Sequence, residues 1–160
     1  MRFLLEITAE LQNILSMAPL NGVDDPDMPY FFKLRCESCD ILSKEQCIYM
    51  SEYAYHKRNR FNHVIKCKGC KRVGTVTLIS GFGTEFTAAD SQTYVPLMMF
   101  ECDGMVPEDY AFNGGWKLTI DSDEVIEVNL VGGNFVGSQE VYGYLQPIVK
   151  NINGRFTVKP

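Results

Sequence analysis

Four cysteines fall in two pairs of identical spacing, Cys36 and Cys39 in "CESC" and Cys67 and Cys70 in "CKGC". Thiolates two residues apart in a tight turn converge on one ion as a knuckle, and two knuckles supply the four sulfurs of a tetrahedral zinc site. One Zn²⁺ is therefore the expected cofactor, with Cys36, Cys39, Cys67 and Cys70 as its ligands. The 27 residues between Cys39 and Cys67 exceed the usual gap, and a long hairpin or loop would take up the excess. Gly69 is expected to give the second turn a left-handed backbone, with Ser38 at the matching place in the first.

Four thiolates around Zn²⁺ leave a net charge of about −2, which is costly near a core. Arg35, Lys66, Lys68, Lys71 and Arg72 lie close enough in sequence to offset it and to lower the thiol pKa values. Other chemistries fit less well. A thioredoxin-like site needs one pair in a βαβ setting, and an iron–sulfur cluster also takes four cysteines, but two regular knuckles favour zinc. His63, four residues before Cys67, is a possible substitute ligand, although its place on an alternating strand points to core or solvent. Cys47 and Cys102 read as small buried hydrophobes. Glu108 and Asp109 look like a turn, and no catalytic cluster or phosphate-binding glycine pattern stands elsewhere.

Short strands must position these thiols. Phe3, Leu5, Ile7, Ala9 and Leu11 alternate with polar residues, the period of a half-buried strand. "YFFKLR" alternates likewise and runs directly into Cys36; residues 61–66 place Phe61, His63 and Ile65 on one face and run into Cys67. Residues 73–79 put the β-branched Val73, Thr75, Thr77 and Ile79 on one face. "TYVPLMMFEC" is a strand whose Pro96 indicates an edge or a bulge, and "WKLTI", "VIEVNL" and "GRFTV" add further strands. A helical turn or two is expected only in "LSKEQCIYMSEYAYH". The predicted fold is all-β, sandwich- or barrel-like, built from short antiparallel strands. "YFFKLRCES" and "VPLMMFECDG" both run an aromatic strand into a Cys followed by an acid, so residues 1–160 are expected to form one compact domain, divisible into β halves at about 1–85 and 86–160.

The totals fit that picture. With 46% hydrophobic and 22% charged residues, the 160-residue chain can bury a real core. No apolar run approaches the roughly 18 residues that span a membrane, and Glu6 and Glu10 interrupt the apolar start, against a secretory signal. A cytoplasmic, reducing location is expected, with the nucleus as the alternative. In such a setting six cysteines mean metal or redox chemistry rather than disulfides. The net charge of −5 is uneven: residues 31–80 carry a balance of +6 and the remainder −11.

"LLEITAELQNI", "YFFKLRCESCDILSK", "VIKCKGCKRVGTVTLI" and "MMFECDGMVPEDYAF" together resemble the CXXC-motif-containing zinc-binding protein family of eukaryotes, over roughly residues 3–115. The resemblance implies an all-β protein of two similar half-domains in pseudo-twofold arrangement, with one zinc ion on Cys36, Cys39, Cys67 and Cys70. Relatives tend to carry a Trp- and Asp-rich segment where this chain has "NFVGSQEVYGY". The family has no settled activity, so the resemblance implies metal and fold without a task.

Three functions are weighed. The first is a non-catalytic monomer whose zinc is structural and whose surface binds another protein; a closed Cys₄ site has no open position at which to activate water. The second is metal handling, exchanging zinc or copper(I) through the same thiols. The third is nucleic-acid binding through His56 to Phe61, where Arg58 and Arg60 stand between the aromatic Tyr55 and Phe61. A membrane partner is not expected, nor is enzymatic activity.

Overall fold

The structure, a computed structural model, describes residues 1–160. In chain order the strands are β1 (Arg2–Gln12), β2 (Ile14–Pro19), β3 (Tyr30–Cys36), β4 (Gln46–Ile48), β5 (Ala54–His56), β6 (Asn59–Phe61), β7 (His63–Lys66) and β8 (Val73–Ile79). There follow β9 (Phe86–Thr87), β10 (Val95–Asp103), β11 (Met105–Ala111), β12 (Trp116–Ile120), β13 (Val125–Val128), β14 (Phe135–Val136) and β15 (Ile148–Lys159). One helical turn, α1 (Gln139–Tyr142), precedes β15. No helix is long and apolar enough to cross a membrane.

The strands form a six-stranded sheet ordered β14-β15-β1-β10-β8-β7, a three-stranded sheet β11-β3-β4, a four-stranded sheet β13-β12-β2-β9 and the hairpin β5-β6. All pairings are antiparallel. The all-β expectation holds. The three larger sheets each combine strands from before and after residue 85.

Alternation does what the sequence period demands. On β3 the residues Tyr30, Phe32, Leu34 and Cys36 are buried while those between them are half-exposed. Phe32 packs on Phe100 of β10, with ring centroids 5.1 Å apart, and on Phe156 of β15 at 5.2 Å. This aromatic seam joins the three-stranded sheet to the six-stranded one. Trp116, Leu118 and Ile120 of β12 extend the same continuous core of 29 buried residues. The thiols of Cys36 and Cys67 belong to that core, so the knuckles grow from its edge.

Several local expectations are corrected. Residues 42–56 contain no helix; the segment forms β4 and the first strand of the β5-β6 hairpin, because Tyr30–Phe32 offer an open edge to Gln46–Ile48. The strand expected over 61–66 is broken at Asn62, which is buried and redirects the chain. Its side-chain amide donates to the carbonyls of Met50 and Glu52, and its oxygen accepts from the Leu78 amide. Strand β10 is central rather than an edge; Pro96 is admitted by a bulge, where Leu5 faces Met98 but Glu6 faces Pro96. On β8 the inward face is Gly74, Val76 and Leu78, with Thr75 also buried. Glu108 and Asp109 lie within β11, whose register slips between Glu108 and Ala111, with Asp109 at φ 57°. Strand β2, which no strand expectation covered, follows a left-handed corner at Asn13, φ 58°.

Candidate metal centre

Each thiol pair sits where a strand ends. Continuing the inward parity of β3 places Cys36 on the core side, and Ile65 followed by Cys67 does the same beyond β7. The two turns are built alike. The Asp40 amide donates to the Cys36 carbonyl and the Cys36 amide donates to the Ile41 carbonyl, at 3.0 Å each. In the second turn the Lys71 amide donates to the Cys67 carbonyl at 3.1 Å and the Cys67 amide donates to the Arg72 carbonyl at 2.8 Å. The left-handed residue is the one after each second cysteine, Asp40 and Lys71, both at φ 67°. Gly69 is not left-handed; it leaves room for the Ile41 side chain, whose tip a Cβ at 69 would displace.

The tertiary fold brings all four sulfurs together, within 4.8 Å of one another. Cys36 lies 3.6 Å from Cys70 and Cys39 lies 3.3 Å from Cys67, so each close pair joins one turn to the other. Tetrahedral zinc with bonds of about 2.3 Å separates its sulfurs by about 3.8 Å, whereas a disulfide bond is about 2.05 Å long. The cluster matches the metal-sized spacing, and all six cysteines are free thiols. Cys36 and Cys67 are buried, Cys39 is half-buried and Cys70 is exposed.

Backbone dipoles prepare the sulfurs. The Cys39 and Ser38 amides lower the Cys36 thiol pKa. The Cys70 amide, the Cys39 thiol and the Gly69 amide bring Cys67 down to about 6. At Cys39 the Ile41 amide pulls downward, but the Cys67 thiol, burial and the other two sulfurs outweigh it and raise the group to about 11. Four crowded thiols without a cation share their protons unequally. Backbone amides and neighbouring thiols, rather than the flanking lysines expected to shift these groups, are the leading causes of the lowering.

Arg35 is likewise engaged elsewhere. Its guanidinium grips Glu108 through two bonds of 2.6 and 3.0 Å and donates to the Asp40 carbonyl at 2.9 Å. It braces the first knuckle against β11 rather than facing the sulfurs. Lys66, Lys68, Lys71 and Arg72 are exposed and form none of the molecule's ion pairs.

His63 lies outside the thiol cluster. Its Nε2 meets the Gln46 side-chain oxygen at 3.0 Å, tying β7 to β4, and burial lowers its pKa. Cys102 is buried, and burial pushes its thiol up to about 12. Cys47 is only half-buried. The basic segment forms the β5-β6 hairpin, with Lys57 and Arg58 left-handed at its tip and Arg60 over the Tyr53 ring at 4.3 Å. Sequence reasoning missed Asn62, Gln46, Ile41 and the Arg35–Glu108 clamp. Only the recurring position after each second cysteine carried a local signal, for Asp40 and Lys71.

Fold and site together define a class: an all-β protein with a four-thiol cluster suited to a metal ion, set between two strand ends. The chain belongs to the eukaryotic family described as CXXC motif containing zinc binding protein, whose model matches residues 4–145. That match runs well past residue 115 and through "NFVGSQEVYGY". Among relatives, the Drosophila melanogaster UPF0587 protein CG4646 is 27% identical over 91% of this chain and 95% of its own length. The Homo sapiens CXXC motif containing zinc binding protein is 28% identical over 70% of this chain and 69% of its own. Two solved structures share the fold. The crystal structure of C1orf123 has a TM-score of 0.84 at 22% identity, covering 99% of this chain and all of that one. A hypothetical protein from Plasmodium falciparum has a TM-score of 0.79 at 15% identity, covering 98% and 99%. The family is named for zinc binding, not for an enzymatic activity.

Proposed function

We propose that Cys36, Cys39, Cys67 and Cys70 hold a single Zn²⁺ as a structural ion, and that the surface it fixes docks another protein. The observation that carries this is the pairing of Cys36 with Cys70 and Cys39 with Cys67, which makes one ion a clasp between two separate turns. Four thiolates fill a tetrahedral zinc and leave no place for water, so the reading is non-catalytic. Zn²⁺ would supply charge neutralisation to sulfurs that cannot all ionise without it. The residues' own contribution is to present those sulfurs on backbone turns already aimed inward.

Native mass spectrometry, elemental analysis and a chelator challenge test it together. The expected result is one zinc per chain, released only on unfolding. A hydrolase activity that disappears with the metal would overturn the reading.

The exposure of Cys70 favours a second reading, metal exchange with a partner's thiolates. Rapid transfer of zinc or copper(I) from the folded protein supports that alternative. Nucleic-acid binding through His56 to Phe61 is the third reading, and Arg60 already covers one face of Tyr53. A complex with RNA that weakens steeply as salt is added would support it.

A further inference from the structure

We propose that the cleft beside the first knuckle, floored by Leu34, Ile65 and Met105 and rimmed by Lys44, Lys66 and Lys68, docks an acidic segment of a partner protein through one apolar anchor side chain. This rests on the protein-docking reading above and gives it a place and a chemistry.

The cleft separates the two sheets that carry the knuckles. The turn after Cys39 and the approach to β4 form one wall, and the end of β7 forms the other. Its volume is about 240 Å³, below the roughly 300–1,000 Å³ of small-molecule and cofactor sites. That size suits a single large side chain, the way an interface anchor fills a pocket on its partner. The floor is apolar: Leu34 and Met105 are buried and Ile65 is half-buried. Met105 reaches this position because Gly74 beneath it has no side chain to collide with.

The rim supplies the charge. Lys44, Lys66 and Lys68 are all exposed, and none takes part in an ion pair. Glu45, next to Lys44, faces a different cleft beside Tyr110 and Phe112, and Asp40 leans on Arg35. Three cations without acids around an apolar pocket are the complement of an acid-flanked Leu or Phe. Ile41, 45% exposed at the mouth, adds apolar surface for the residue beside the anchor.

The test uses the zinc-loaded full chain and a labelled peptide with the core Glu-Glu-Leu-Glu-Glu, followed by fluorescence anisotropy and amide chemical shifts. Binding is expected to move the amides of residues 41–46 and 65–68. Replacing the central Leu of the peptide by Ala should weaken it by about thirtyfold, the scale of an anchor residue. Lys44→Glu with Lys66→Glu should abolish binding while zinc content stays at that of the parent. Binding that ignores the Leu-to-Ala change, shifts confined to the β5-β6 hairpin, or no binding to folded, zinc-loaded protein would each overturn the proposal. Those outcomes leave the structural-zinc reading standing. Loss of zinc from the folded parent itself would overturn that reading instead.

Discussion

At Glu108 the carboxylate is held below its usual pKa, first by the hydrogen bond from Arg35 and then by the charges of Arg35 and Lys33. A depressed carboxylate contributes stability that is full above its unfolded pKa and is lost as pH falls through the folded one. Glu108→Gln should therefore lower the urea midpoint at neutral pH, and the gap from the parent should close on acidification through the carboxylate range. A gap of constant size at every pH would mean the charge contributes nothing. Lys71 tests backbone strain in the second knuckle. It is left-handed at φ 67°, a conformation that crowds Cβ and worsens with branching. Lys71→Ile should cost about 1–2 kcal/mol in denaturant melts, whereas Lys71→Gly should be nearly neutral. Equal effects of the two would remove strain as the explanation.

Among the elements, the break between β6 and β7 matters most to the site. It lets β7 leave the hairpin and pair with β8, which delivers Cys67 to Cys39. Asn62 holds that break through three hydrogen bonds to backbone groups of two separate segments, the loop at Met50 and Glu52 and strand β8 at Leu78. Removing such a hub leaves buried donors and acceptors unpaired, which costs more than the net worth of the bonds themselves. Asn62→Ala should destabilise the protein by about 2–4 kcal/mol. Hydrogen exchange should quicken first at Leu78, whose amide loses its acceptor. If protection at Leu78 is unchanged in the variant, another contact holds the break.

For the whole molecule, the question is how far folding depends on the metal. Small zinc modules are unfolded without their ion because they have little else to bury. Here the 29-residue core runs from Phe3 to Val149 through three sheets, and of the four clustered thiols only Cys36 and Cys67 join it. Protein unfolded, stripped of zinc and refolded without it at neutral pH should recover the β-sheet circular dichroism. Its amide protection should be lost locally, over residues 36–45 and 65–73. Failure of the metal-free chain to refold would show that the core does not stand alone.

Much of this was legible from single strands. Cys36 lies on the parity of Tyr30, Phe32 and Leu34, and period two already puts its thiol on the core side. The repeated spacing of two residues announced both knuckles, and the family resemblance rested on the same stretches. What the alternating pattern could not carry is anything decided across strands. Asn62 reads as one polar residue among others until the loop at Met50 and Glu52 and strand β8 at Leu78 close on it from either side in sequence. Arg35 reads as a counter-ion for its neighbouring thiol until β11 places Glu108 opposite it. The helical turn expected within residues 42–56 fails for a related reason: the open edge of β3 recruits Gln46–Ile48 into a sheet, and tertiary pairing overrides a weak local preference. Local covalent and steric rules determined the thiol pairs, their turns and the strands that lead into them. The cross-turn pairing of the sulfurs, the lysine-rimmed cleft and the clamp on Arg35 were settled only by packing, because each depends on distances between residues that the chain order leaves unrelated.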